Sequence, residues 1–410
     1  SDSGKCSSQR NPMSGTRRGG GTRPPGWARN APAWGRAGAC RAARGPAKKM
    51  ASRAPRLADG LRHSLMLLGA LLLAFLPSPA LAQGFAGMAS DAEGFAMPEP
   101  GVTFSFPADH GPHPDFRIEW WYVTANLTGA DGTEYGLQWT LFRSALAPFR
   151  RDDWQSPQIW MAHAAVTAPD AHHFAERFAR DGIGQAGVTA EPFAAWIDGW
   201  QMAGPTLSDV RLTARAADFG YDVRLAADGP FVPQGENGYS VKAATGQASH
   251  YYSQPFYEVT GTLELPEGPV QVTGQAWLDR EWSSQPLAEE QTGWDWLSLH
   301  LDGGDKLMLY QVRDERRGPY TAATWIGRDG QPAPYPDGVA RAEPVGWTDV
   351  EGRAVPTAWA VTLPDRGVDI EARALNPDAW MGTAIPYWEG PVRVTGSHRG
   401  RGYLEMTGYD

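Results

Sequence analysis

Cysteine is almost missing from this 410-residue chain: Cys6 and Cys40 occur, and none after them. The rest of the sequence therefore has no disulfide framework, no cysteine-ligated zinc, no thiol nucleophile and no iron–sulfur cluster. Positive charge is also scarce. Of 37 Lys+Arg and 46 Asp+Glu, residues 1–82 take 14 and 2, which leaves 23 basic against 44 acidic groups in the other 328 residues. A body with a net charge of −21 is a poor match for a phosphate backbone, so nucleic acid is excluded as a partner. Gly-rich phosphate loops are missing, since Gly182-Ile183-Gly184 precedes no helical pattern, and no G-x-S-x-G serine motif occurs.

The first 82 residues read as two pieces. Residues 1–49 are rich in Gly, Arg and Pro without apolar periodicity and precede a start-like Met50, so they are expected to be a disordered upstream segment outside the translated protein. Residues 50–82 have the form of a signal peptide: Arg53, Arg56 and Arg62, an apolar stretch over 65–76, and small residues at Ala80 and Ala82. That stretch is well short of the roughly 20 residues of a permanent bilayer span. The expected location is therefore periplasmic or secreted, after cleavage near Ala82.

The body is punctuated by Gly and Pro every few residues and keeps no long 3.6-residue period, which predicts an all-β protein. Residues 162–180 are the best candidate for a helix, interrupted at Pro169-Asp170. A hairpin is predicted over 117–143. Trp121, Val123, Ala125 and Leu127 share one strand face with Glu119, and Trp120, Tyr122, Thr124 and Asn126 share the other. A turn at Asp131-Gly132 sets Trp121 against Leu141 and Glu119 against Arg143. The face that carries Trp120, Tyr122, Gln138 and Thr140 mixes aromatic and small polar groups, as a ligand wall does. A second hairpin turns at Asp302-Gly303-Gly304, with Leu297, Leu299 and Leu301 beside Asp295 and with Arg313 expected opposite it. An acid–Trp step and a partner Arg thus occur twice, which predicts a duplicated barrel.

Several segments together resemble one family. They are Asp109-His110-Gly111 with His113, Glu119-Trp120-Trp121-Tyr122, the run 135–143, Arg177-Phe178-Ala179-Arg180 and Tyr251-Tyr252-Ser253-Gln254-Pro255. The runs 274–282, Gly293-Trp294-Asp295-Trp296 and 402–409 complete the set. In this order they resemble the AttH/CrtC-like lipocalin-related proteins. The resemblance implies two consecutive lipocalin-like antiparallel β-barrels, at 110–282 and 283–410, after a linker at 83–109. It also implies activities that include carotenoid 1,2-hydration and predicted secreted hydrolysis, and an association of some bacterial members with ABC-transporter permeases.

Adding water to an isolated double bond needs an acid that protonates carbon and an aromatic wall facing the resulting cation. The densest candidate is the run 277–282. If extended, it points Trp277, Asp279 and Glu281 one way and Arg280 and Trp282 the other, with the two carboxyls about 7 Å apart. Asp279, Glu281 and Trp282 are the catalytic candidates. Trp120, Tyr122, Gln138, Thr140, Tyr251, Tyr252, Trp277, Arg280, Trp294 and Trp296 are the ligand-binding candidates. A buried ion pair at a barrel corner is the competing reading for Asp279, Arg280 and Glu281, and more strongly for Glu119–Arg143 and Asp295–Arg313. The hydratase members carry a His within the block where this sequence has Arg280, and Arg does not cycle a proton. No His spacing fixes a metal geometry, and no cofactor is implied. Three functions stay open: a hydratase of a prenyl double bond, a non-catalytic periplasmic lipid or lipopeptide carrier serving an ABC-type exporter, and a secreted hydrolase.

Overall fold

Apolar and polar residues that alternate at a period of two, between turn residues, favour strands. The computed structural model is built from them almost throughout, with one short 3₁₀ turn at Ala108–His110 and another at Pro364–Arg366. It describes residues 93–285, 287–288 and 290–409. The upstream segment expected at 1–49, the signal peptide expected at 50–82 and the first part of the linker expected at 83–109 lie outside the described residues.

The first sheet contains β1 (Ile118–Gly129), β2 (Glu134–Ala145), β3 (Gln158–Thr167), β4 (His172–Arg180), β5 (Ala186–Thr189), β6 (Phe193–Ile197) and β7 (Trp200–Thr206). It continues with β8 (Asp209–Arg215), β9 (Gly220–Ala227), β10 (Val232–Pro233), β11 (Tyr239–Val241), β12 (Ala248–Leu265) and β13 (Gly268–Ser283). The second sheet contains β14 (Gln291–Leu301), β15 (Lys306–Asp314), β16 (Tyr320–Ile326), β17 (Pro332–Tyr335) and β18 (Arg341–Val350). Its remaining strands are β19 (Arg353–Leu363), β20 (Val368–Ala374), β21 (Trp380–Met381), β22 (Tyr387–Gly396) and β23 (Gly400–Met406). The order β4-β3-β2-β1-β13-β12-β9-β8-β7 of the first sheet is repeated by β17-β16-β15-β14-β23-β22-β20-β19-β18 in the second. In each, the opening strand lies between its hairpin partner and the last strand. The two sheets curl into a double lipocalin-like, all-β fold.

The first hairpin has the register read from its turn, with Trp121 opposite Leu141 and Glu119 opposite Arg143. The second is corrected by two residues: Asp295 lies opposite Gln311 and Arg313 opposite Gly293. Its turn centres on Gly303 rather than Gly304, with Leu299 facing Leu307. A bulge beside Gly293, whose φ is +147°, still lets Arg313 reach Asp295 diagonally. The segment 162–180 is no helix. It is the β3–β4 hairpin, turned where Ala168 N–H meets Ala171 C=O, so Pro169-Asp170 forms the turn rather than a kink.

Each barrel encloses an apolar core of its own side chains. Trp121, Trp139, Trp200, Tyr252 and Trp282 sit in the first core, and Trp359, Trp388 and the leucines of β14 and β15 in the second. The barrels dock through their outer faces. Gly136 marks the close approach: a Cβ there would come within 2.6 Å of both Pro391 Cδ and the Tyr403 hydroxyl.

Candidate functional site

Space for a ligand lies between the barrels. A third apolar cluster, made of Tyr122, Tyr251, Trp277, Trp296, Met308 and Tyr310, joins the two sheets there. Beside it lies a cavity of about 150 Å³. Its wall is largely apolar and aromatic, with Trp120, Phe142, Met161, Trp294 and Trp296, and it carries the polar groups Asp279, Glu281, Lys242, His163 and Glu405.

Strand periodicity explains who reaches it. On β1, the face opposite Trp121 and Val123 points out of the first barrel, which delivers Trp120 and Tyr122. On β13 the same alternation delivers Asp279 and Glu281. On β14 and β23 it delivers Trp294, Trp296 and Glu405 while the leucines turn inward. Of the residues expected from sequence, Trp120, Tyr122, Thr140, Asp279, Glu281, Trp294 and Trp296 line the cavity. Tyr251 and Trp277 stand behind Asp279, with Tyr251 O–H and Trp277 Nε1–H each donating to its carboxyl at 2.7 Å. Gln138 sits beneath the wall and donates to Thr140.

Three candidates are corrected. Trp282 belongs to the first barrel's core, stacked on the His113 ring with centroids 3.8 Å apart. Arg280 lies on that same face, over the Trp121 ring and 2.6 Å from Glu119. Tyr252 bonds His110 at 2.7 Å, also away from the cavity. All three follow the odd–even alternation that sends Asp279 and Tyr251 outward. Asp279 is therefore not the partner of Arg280.

Asp279 has a distinctive setting. Both its oxygens accept protein hydrogen bonds, from Tyr251 on one and from Ser253 and Trp277 on the other. Such bonds favour the carboxylate, yet burial outweighs them and pushes its pKa up to about 7. Glu405, whose Oε1 accepts Trp294 Nε1–H at 3.0 Å, is also raised by burial to about 7. The nearby Asp279 carboxyl adds to the rise at Glu405. Glu281 pairs with Lys242 at 2.8 Å, and its proximity adds less than burial to the rise at Asp279.

Glu405, Lys242 and His163 were not found by sequence reasoning. Glu405 had a local signal, a lone acid among Tyr403, Leu404 and Met406. Among the described residues no group of three His, Asp or Glu side chains is arranged to hold a metal ion.

Residues 97–409 match the AttH-like family. The chain belongs to that family. Among solved structures, an assigned AttH from Nitrosomonas europaea is 33% identical, covers 77% of this AttH-like chain and 100% of its own, and superposes with a TM-score of 0.69. Kievitone hydratase from Nectria haematococca, 14% identical, covers 77% of this chain and 96% of its own with a TM-score of 0.58, a likeness of fold. No curated relative matches the chain.

Proposed function

We propose that this AttH-like protein takes up an apolar, isoprenoid-like molecule between its barrels and adds water across a prenyl double bond. The observation that carries this reading is Asp279: a carboxyl raised to about 7, lining an aromatic cavity, with both oxygens already accepting bonds from the protein. The cavity is thus the direction left for its own O–H. In the step proposed, that proton passes to the less substituted alkene carbon and the π pair becomes the new C–H bond. A tertiary cation forms next to it, facing the rings of Trp120, Trp294 and Trp296. Water then forms the C–O bond, and its surplus proton goes to Glu405 as carboxylate. The product is the tertiary alcohol. One proton has moved from Asp279 to Glu405, and no metal or cofactor takes part in the proposed step.

Family membership and a fold shared with a hydratase are compatible with this chemistry. The export signal expected at 50–82 would have it act in the periplasm or outside the cell. Purified protein incubated with prenylated alkenes in heavy-oxygen water should yield a product that has gained one labelled water. An organic extract of the protein that holds an acyl lipid or lipopeptide, with no alkene hydrated, would replace the hydratase with a carrier, the partner then being an ABC-type permease. In either case Trp120→Ala should weaken ligand binding about tenfold by calorimetry, since it removes an aromatic wall from a desolvated site. Unchanged affinity would move the binding site elsewhere.

A further inference from the structure

Large apolar side chains left in water are ordinary when scattered and informative when gathered. Here they gather at one end of the first barrel. On the β2–β3 loop, residues 146–157, Leu146, Phe149 and Trp154 are 63%, 52% and 67% exposed. Ile183, on the loop after β4, is exposed as well, and the two loops touch so closely that a Cβ at Gly182 would collide with the Asp153 backbone. Polar atoms brace both loops from within. Buried Asp181 accepts from Ser156 Oγ at 2.9 Å and from Trp160 Nε1 at 3.2 Å, and Gln158 Nε2 donates to the Phe149 carbonyl at 3.0 Å. The backbone is held in place while the apolar side chains stay outside.

Strand pairing connects this end to the cavity. Trp120, Phe142, Met161 and Phe178 lie opposite one another in turn across β1, β2, β3 and β4, so all four share the outer face of the first barrel. Trp120, Phe142 and Met161 line the cavity, and Phe178 ends the row on an edge strand, 52% exposed. Phe142 is four residues from Leu146 and Phe178 five from Ile183, a span of roughly 14–17 Å along extended chain.

We infer that these two loops dock the protein on the surface of a phospholipid bilayer, with Leu146, Phe149, Trp154 and Ile183 inserted at the headgroup–acyl boundary. This rests on the reading of the cavity as a site for an apolar, isoprenoid-like molecule. Such a molecule has its reservoir in a bilayer, and the row from Phe178 to Trp120 leads inward from the docked end along apolar surface. Exposed Trp and Phe side chains suit the bilayer interface, where one part of the ring is apolar and another wet. Charge agrees with this. Arg150 and Arg151 offset Asp152 and Asp153, so the loop is neutral in a body of net charge −21 and approaches headgroups without repulsion of its own. Arg150 lies 3.5 Å from Asp152 and 3.7 Å from Asp181, and Arg151 lies 3.0 Å from Asp153. Pairs this exposed are weak, so both guanidinium groups can turn to lipid phosphates.

The test is hydrogen exchange of the full protein with and without phosphatidylcholine vesicles, followed by mass spectrometry segment by segment. Amides over 146–157 and 181–184 should exchange about threefold or more slowly with vesicles. Those around Trp347, 57% exposed on the second barrel, should not change. Phe149→Ser combined with Trp154→Ser should abolish the protection, and both side chains are exposed enough for the fold to survive their loss. Vesicles held only through the apolar stretch 65–76 would leave the loop amides exchanging as in the free protein, and that outcome overturns the docking. Slowing that needs no vesicles and grows with protein concentration overturns it too, and assigns the face to a second copy of the chain. Protection by vesicles in a protein that hydrates no alkene keeps the docking and removes the hydration reading. Alkene hydration without protection does the reverse.

Discussion

Asp279→Asn should cut hydration by about 10²–10⁴-fold, the usual worth of a positioned acid, while ligand affinity stays within about twofold. The amide keeps the shape: its oxygen can accept the Ser253 and Trp277 bonds while its NH2 turns to the Tyr251 hydroxyl oxygen, and it has no acidic proton to give to carbon. The same substitution should change stability with a definite sign. Burial raises this carboxyl from an ordinary 3.8 to about 7, so the folded state binds a proton that the unfolded state releases. Its contribution to stability is fully present below 3.8 and is lost as pH rises through about 7. Asn does not titrate. The variant should match the parent near about pH 4 and exceed it near about pH 9, by up to about 4 kcal/mol, in urea unfolding. Full turnover in the variant would remove Asp279 from the chemistry, and equal alkaline stability would remove burial as the governing term.

Glu119→Gln should be the most destabilising polar substitution in the first barrel, costing about 3–5 kcal/mol. The Glu119 carboxylate is fully buried. Arg143 pairs with one oxygen, Arg280 approaches the other at 2.6 Å, and the His113 N–H donates to both. Removing the negative charge leaves two buried guanidinium groups facing each other with no counter-ion. Those cations hold Glu119 well below its ordinary range despite complete burial. The stability it provides is therefore present above about pH 4.5 and is lost as pH falls through the lowered folded value. The second barrel offers an internal comparison. Asp295 has one arginine, Arg313, whose side chain is 21% exposed, and there burial wins and the carboxyl is raised. Asp295→Asn should accordingly cost less, about 1–3 kcal/mol. Urea midpoints for the two variants at neutral pH check the pair, and equal losses would show that the second guanidinium adds nothing.

These two carboxylates also mark how far the sequence could be read. That Glu119 faces Arg143 followed from a local count across a turn, and the ladder has that register. That Arg280 joins them from β13 did not follow, because β13 begins well over a hundred residues later. The count across the second turn missed by two residues, because a turn centre one residue earlier shifts every cross-strand pair by two. Likewise the run 277–282 was correctly divided into two faces, but the division alone did not say which face met a cavity.

What the sequence by itself determined is local: strands with a two-residue period, the inward and outward set on each, a duplicated hairpin, and a family resemblance carried by short aromatic–acid motifs. Each of these depends on residues within a few positions of one another, where backbone geometry dictates direction. Tertiary structure alone decided that each barrel encloses its own apolar core and that the cavity lies between their outer faces. It alone brought Glu405 and Glu389 from the last strands to Tyr122 on the first, and His163 to Tyr387. It also decided the chemistry of Asp279, whose ordinary carboxyl becomes an acid of about 7 only because other strands exclude water from it. Desolvation depends on everything packed around a group, and no short stretch of sequence contains that information.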